Sequence, residues 1–359
     1  MARNIKRYRR ERERQESRTE AVEDFSLSSR KKGQSEPNLS TSLFDRLPPE
    51  WVPSTYSLPN DYALFVEEFR KNPNSTWIAK PTGKAQGRGI FLVSKLNQLK
   101  KWSNSSKEKN LQGQALAFRE PYIISRYISD PLLVGGKKFD MRLYVLVTTY
   151  RPLKVYLYRS GFCRFCVEQY STDVAEIDNI FVHLTNVAIQ KQAEDYNEQH
   201  GGKWAISDLM LFIESTRGRA ASDKLAMDME QVIVHSLKAV QNVIVNDKHC
   251  FEMYGFDVLI DKDLRPWLLE VNASPSLTTT TEDDRLLKLR LINDVLTIAM
   301  QEKKGLLDGD EDAALGDFAC IYDEKHQEKR TTRPEDRSLS RGASRRIPGE
   351  RFSRTGYWR

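Results

Sequence analysis

The chain has 359 residues, with 56 Lys and Arg against 50 Asp and Glu and a formal net charge of +6, enough for one large or two ordinary domains. No run of about eighteen apolar residues occurs, which excludes a membrane-spanning helix, and its 4 cysteines with no secretory leader point to a reducing, cytosolic setting. Residues 45–300 are nearly neutral, so the basic excess lies in two tails, a pattern suited to loose attraction to an acidic polymer.

Residues 1–42 have little apolar periodicity and read as a disordered, charged leader. Order is expected from about Leu43, through the proline-punctuated stretch Leu47 to Pro53. Asp61 to Lys71 predicts a short helix with Leu64, Phe65 and Phe69 on one face and Asp61 as its cap. Two strands follow, Thr76 to Pro81 and Ile90 to Val93, joined by Thr82-Gly83-Lys84-Ala85-Gln86-Gly87-Arg88-Gly89. Glycines in such a loop let backbone N–H groups approach phosphate oxygens. The loop is neither a Walker nor a Rossmann element, because no helix follows it. A glycine-rich hairpin without a ligand explains it equally well.

Residues 95–113 read as helix then loop, and Tyr122 to Ile128 as a strand. After the turn at Gly135-Gly136, Phe139 to Tyr150 is a long apolar strand. Alternation puts Lys138, Asp140 and Arg142 on one face and Phe139, Met141 and Leu143 on the other. Three charges on so apolar a strand need partners, which a nucleotide and its metal would supply. Cys163 and Cys166 form a single Cys-x-x-Cys and read as buried thiols rather than zinc ligands. His183 reads as structural. Residues 207–245 show helical spacing. Glu282 to Met300 predicts an amphipathic helix with Leu286, Leu289, Ile292, Leu296 and Ile298 on its apolar face. Beyond it come an acidic linker and, from Lys325, a basic disordered tail.

Between those helices, Tyr254 to Ile260 and Pro266 to Val271 flank a polar link and predict a β-hairpin. Antiparallel pairing sets Asp257 opposite Glu270 and Leu259 opposite Leu268. Phe256, Val258, Ile260, Trp267, Leu269 and Val271 would share one face, and Asp257, Glu270 and Asn272 the other. Two carboxylates and an amide oxygen at one spot suit Mg²⁺; a merely solvated face explains the pattern as well.

The order WIAKP–GKAQGRGI, YIISRYISDPLLVGGKKFDMRLYVLV, VHLTNVAIQ, FDVLIDKDLRPWLLEVNASPSL closely resembles the tubulin–tyrosine-ligase-like family over about residues 55–300. GFCRFC and HGGKW are most similar to its tubulin polyglutamylases. The resemblance implies an α+β, ATP-grasp fold whose two lobes clasp ATP between sheets, within a catalytic region at residues 43–300 followed by the tail at 301–359. It implies ATP- and Mg²⁺-dependent addition of free L-glutamate, through an isopeptide bond and an acyl-phosphate intermediate, to γ-carboxylates in tubulin tails. By that likeness Lys80 and Lys138 contact phosphates, and Gln86 and Gly87 cover them. Ser125, Arg126, Tyr127 and Ile128 hold the adenine, and Phe139, Asp140, Thr185 and Asn186 add nucleotide contacts. Asp257, Glu270 and Asn272 correspond to the Mg²⁺ ligands, with Glu270 counted as catalytic. Arg164, Lys203 and Lys288, with Gln86, would bind the incoming glutamate. Arg142 is expected to stabilise the acyl phosphate. Compared with the family, the folded region ahead of Trp77 reads as shortened and the basic tail as short, so partner subunits of a polyglutamylase complex are expected. The alternatives are a glycine-adding ligase and a catalytically impaired tubulin-binding subunit. The implied setting is the cytoplasm and cytoskeleton, at a cilium basal body or axoneme, with neither nucleic acid nor membrane insertion.

Overall fold

Apolar alternation in the middle of the chain builds two sheets, each with helices on it. The computed structural model describes residues 1–28, 44, 46–99, 121–197, 202–247, 249–279, 281–303 and 315–331. The smaller sheet has β1 (Thr55–Leu58), β2 (Trp77–Pro81), β3 (Phe91–Val93) and β4 (Tyr122–Arg126) in the order β1-β4-β2-β3. One face buries Leu58, Trp77, Ala79, Tyr122 and Ile124 against Phe65 and Phe69 of α2 (Tyr62–Lys71). Lys80, whose pairing partner is Ile123, lies on the opposite face. Asp61 stands at the α2 N-cap position without bonding a helix N–H; its Oδ2 accepts instead from Ser57 N at 2.8 Å. Of residues 95–113, Leu96–Leu99 form one 3₁₀ turn, and positions beyond 99 lie outside the described residues.

The larger sheet is centred on β6 (Lys137–Tyr150), which pairs with β5 (Leu133–Val134), β7 (Leu153–Tyr158), β8 (Phe162–Phe165) and β10 (Glu252–Ile260). β11 (Pro266–Asn272) extends it beyond β10, and β9 (Lys203–Ala205) beyond β8. Two short helices, α3 (Ile180–His183) and α4 (Val187–Gln190), follow β8. On one sheet face Phe139, Met141, Leu143 and Phe256 pack against α5 (Ile206–Arg217) and α6 (Arg219–Gln241). On the other, Tyr144, Leu146, Tyr156 and Tyr158 pack on Leu291, Val295 and Ile298 of α7 (Glu282–Lys303). Of the residues expected on the apolar face of α7, Ile298 is buried there, but the face as a whole is turned from the expected one. Leu286, Leu289 and Leu296 are exposed, because leucines occupy both sides of this helix and the sheet selects the row at 291, 295 and 298.

Both tails depart from the disordered reading. Ala2–Ser28 form α1, a run rich in the helix formers Arg and Glu, with an Arg9–Glu13 pair at 2.8 Å. Ile5 is buried in the larger core, and the Tyr8 hydroxyl bonds His235 Nδ1 on α6 at 2.8 Å. Tertiary contacts thus recruit a helix whose few apolar residues give little periodic signal. At the other end, Phe318–Asp323 form β12 alongside β7, burying Phe318 and Tyr322, and Glu324–Thr331 form α8. Residues 332–359 lie outside the described residues. No helix among the described residues is long and apolar enough to cross a membrane.

Candidate active site

Alternation along β6 sends Lys138, Asp140 and Arg142 away from the α5/α6 core, as expected, and pairing carries their partners in from both sides. Asp140 lies opposite Arg164 of β8, and Arg164 opposite Lys203 of β9. Arg142 lies opposite Asp257 of β10, and Asp257 opposite Glu270 of β11. Five strands thereby hold one row of ionised side chains.

Ion pairs lock that row. Arg142 grips Asp257 through Nε at 2.5 Å and Nη2 at 3.1 Å. Arg164 donates from Nε to Asp140 Oδ1 at 2.8 Å and bridges to Asp257 Oδ2 at 2.8 Å. Such forked pairs are strong and geometrically specific. Burial works to raise the Asp257 carboxyl, but Arg164 and Arg142 outweigh it and hold it down to about 2. Glu270 shows the reverse. Burial, reinforced by the charge of Asp257, pushes its carboxyl up against the opposing pull of Lys80. The charge of Lys80 on the small sheet is thus felt by Glu270 on the large one.

The hairpin register holds at Asp257–Glu270 and then slips. A bulge after Asp257 pairs Val258 with Leu268 and Leu259 with Trp267. The extra residue reverses the parity of β11. Leu268, instead of Leu269, joins the core beside Val258 and Ile260, and Trp267 takes the side of Leu259 rather than that of Phe256. Trp267 Nε1 donates to Asp261 Oδ2 at 2.9 Å, within a turn organised by Asp261.

Asn272 donates from Nδ2 to Glu270 Oε1 at 3.0 Å and to Gly255 O at 3.3 Å. Its Oδ1 remains the atom suited to a cation. A carboxylate oxygen keeps further lone pairs beside a guanidinium, so Asp257, Glu270 and Asn272 fit a hard, oxygen-seeking ion. No group of three His, Cys, Asp or Glu among the described residues offers a metal site, so phosphate oxygens or water would complete the coordination.

The other expected contacts surround this row. Gln86 and Gly87 both adopt positive φ, and a Cβ on Gly87 would fall 2.4 Å from Ile189 Cδ1 and 3.0 Å from Asn186 Oδ1. The glycine loop thus rests on the turn carrying Thr185 and Asn186. Lys138 is buried and donates to Tyr127 OH at 2.9 Å and His183 O at 2.8 Å; burial lowers its pKa. His183 also meets Tyr127 OH through Nδ1 at 3.0 Å, a structural role. Tyr127 N donates to Thr76 O at 2.9 Å, and Ser125 Oγ meets Thr55 Oγ1 at 2.9 Å. Ser125, Arg126, Tyr127 and Ile128 therefore sit where the small sheet passes into the large one. Phe139 does not join them: it is buried against Phe165 on the α5/α6 side of the sheet, away from the ionised row. Cys163 and Cys166 are free and buried, and burial pushes the Cys166 thiol up to about 12.

The three cations expected to bind glutamate are all held by carboxylates. Arg164 is committed to Asp140 and Asp257, while Lys203 and Lys288 converge on Asp284 at 3.1 and 3.0 Å. Burial alone would raise the Asp284 carboxyl, yet the two lysines bring it down. Asp284 went unremarked in the sequence, although its spacing to Lys288, one helical turn, was a usable signal. Gln190 was also missed: it accepts from Val167 N at 2.7 Å, and its Nε2 donates to Leu184 O, pinning the Thr185-Asn186 turn.

Residues 1–305 match the model of the tubulin-tyrosine ligase family. The chain belongs to that family. Among similar proteins, it is 51% identical over 286 residues to probable alpha-tubulin polyglutamylase Ttll1 of Tetrahymena thermophila, covering 78% of this chain and 69% of that protein. Probable tubulin polyglutamylase ttll-9 of Caenorhabditis elegans is 48% identical over 276 residues, 77% of this chain and 64% of that one. Probable tubulin polyglutamylase TTLL9 of Rattus norvegicus is 39% identical over 349 residues, covering 90% and 69%. The family match begins at residue 1 and so takes in α1, which lay outside the resemblance over about residues 55–300. Alignment with these relatives spans about two thirds of their lengths.

Proposed function

We propose that this chain is an ATP- and Mg²⁺-dependent ligase that adds glutamate to glutamate side chains in tubulin tails. The observation that carries the reading is the row from Lys203 to Glu270, buried at its centre and with Lys80 of the small sheet acting on Glu270, in a family whose similar members are named tubulin polyglutamylases. The two sheets correspond to the two lobes of an ATP-grasp fold, with nucleotide between them.

In this scheme Lys80, Lys138 and the Gln86–Gly87 backbone receive the phosphates. Segment 125–128 receives the base, with Asp140, Thr185 and Asn186 shaping the walls and Phe139 packing behind them on the α5/α6 side. Asp257, Glu270 and Asn272 would hold Mg²⁺, whose chemistry when bound is to neutralise phosphate charge during transfer. Arg142 steadies Asp257 and would stabilise the oxygens of an acyl phosphate. No nucleophile–base pair is required, because phosphoryl transfer depends on positioning and charge neutralisation. Lys203 and Lys288 receive the carboxylates of incoming glutamate by exchanging Asp284 for them. Arg164 serves chiefly to hold Asp140 and Asp257 in place, so the case against glycine as donor rests on the two lysines. The proposed setting is the microtubule cytoskeleton, including ciliary axonemes or basal bodies, with partner subunits completing a complex.

The test supplies purified protein, with candidate partner subunits, with tubulin, ATP, Mg²⁺ and labelled glutamate or glycine. Glutamate incorporation is expected, with Glu270→Gln lowering it by about 100-fold or more while circular dichroism stays unchanged. Equal activity in the variant overturns the metal assignment, and glycine-only incorporation overturns the choice of donor.

A further inference from the structure

α1 carries charge on the side turned away from the protein. Ile5 is buried and Tyr8 reaches His235, which fixes the inward face. At about 100° per residue, Arg3, Arg7, Arg10 and Arg14 fall within an arc of roughly 60° on the opposite side, with Lys6 beside it. All five are exposed. Arg3 approaches Asp61 at 3.9 Å, and Lys6 Nζ donates to Thr55 O at 2.8 Å. Arg7, Arg10 and Arg14 form no ion pair with any described residue. The acidic neighbours on the helix are Glu11 and Glu13, one on each side of the stripe, and Glu13 is engaged by Arg9. Repulsion among these arginines, spaced one turn apart, is relieved by an anionic partner.

The stripe also leads somewhere. Its first residues, Arg3 and Lys6, line a cavity of about 420 Å³ together with Thr55, Ser57, Thr82 and Ile123. Ile123 pairs with Lys80, and Thr82 begins the glycine loop. Cations along α1 therefore end beside the strand and loop that face the ionised row.

We propose that the exposed basic stripe of α1 is a docking track for an acidic polypeptide, which it feeds toward the gap between the two sheets. This deepens the proposed ligase reading and rests on it, adding where a glutamate-rich acceptor is held. Docking is electrostatic, fast and weakened by salt. It needs no apolar anchor, so one track accepts tails of varied sequence provided that they are acidic.

The test uses the full chain carrying Arg7→Glu, Arg10→Glu and Arg14→Glu together, with the Gln triple as a gentler version. A control carries the same charge change elsewhere, at exposed Arg70, Lys224 and Arg290. Fluorescence anisotropy follows a labelled oligo-glutamate peptide, with ATP absent. Stripe reversal is expected to weaken binding at least about tenfold, with the Gln variant intermediate and the control near wild type; in wild type, added salt reproduces the loss. In the incorporation assay, KM for tubulin rises by a similar factor while kcat and KM for ATP and glutamate hold. Equal affinities in stripe and control variants overturn the track, as does tighter binding of single-stranded RNA than of the peptide at the same residues. Peptide binding through the stripe without glutamate incorporation would defeat the ligase reading alone. Incorporation with an unchanged tubulin KM in the stripe variant would defeat the track alone.

Discussion

His235 sits where α1 meets α6, and its proton affinity is set by burial. Desolvation, reinforced by Lys238 and Arg12, lowers its pKa from the ordinary value near 6.5 to about 3. An unfolded chain takes a proton on this imidazole near pH 6.5, whereas the folded chain resists until about pH 3. Stability is therefore complete above the unfolded value and falls as pH drops through that window, by at most about 1.4 kcal/mol per pH unit. Urea unfolding at pH 7.5 and 5.5 should show this loss in wild type and a smaller one in His235→Gln; identical pH slopes would contradict it. At this scale the sequence was informative about chemistry and less so about partners. Alternation on one strand was enough to gather Lys138, Asp140 and Arg142. That Arg164 would be spent on Asp140 and Asp257, and Lys203 and Lys288 on Asp284, depends on which strands and helices become neighbours.

Helix α7 shows what periodicity leaves open at the scale of an element. Its leucines supply two helical rows, and the sheet buries the one at Leu291, Val295 and Ile298, leaving Leu289 55% exposed while Leu291 is 0% exposed. Leu291→Ala is expected to cost about 2–5 kcal/mol, and Leu289→Ala no more than about 0.5 kcal/mol, by urea denaturation; reversed costs would restore the original face. The β10–β11 hairpin was legible for a different length of chain. Strand alternation set Asp257 against Glu270 correctly, since each strand keeps its parity over a few residues. The bulge after Asp257 inserts one residue, and no feature of the pattern marks where such an insertion falls.

For the molecule as a whole, the two-sheet layout was legible because long motifs in register carry it, while both ends of the chain were misjudged. α1 touches both sheets' neighbourhoods: Lys6 reaches Thr55 of β1, and Ile5 and Tyr8 reach the α6 side. Ile5→Asp combined with Tyr8→Ala should release the helix and lower Tm by about 5 °C or more, measured by calorimetry; an unchanged Tm would mean that the helix contributes no docking energy. Charged sequence with sparse apolar residues hides such an element, because its stability comes from the surface it lands on.

β12 has a consequence for biosynthesis. Leu153 N donates to Glu324 Oε2 across 171 residues, and β12 closes the flank of β7. While the polypeptide is still emerging from the ribosome, β7 is already made but its outer backbone N–H and C=O groups have no strand to meet. An uncovered edge of this kind invites pairing with other chains. The flank of β7 is covered only after synthesis has passed residue 323. The interval between making β7 and making β12 is therefore the period in which a chaperone has the most to protect.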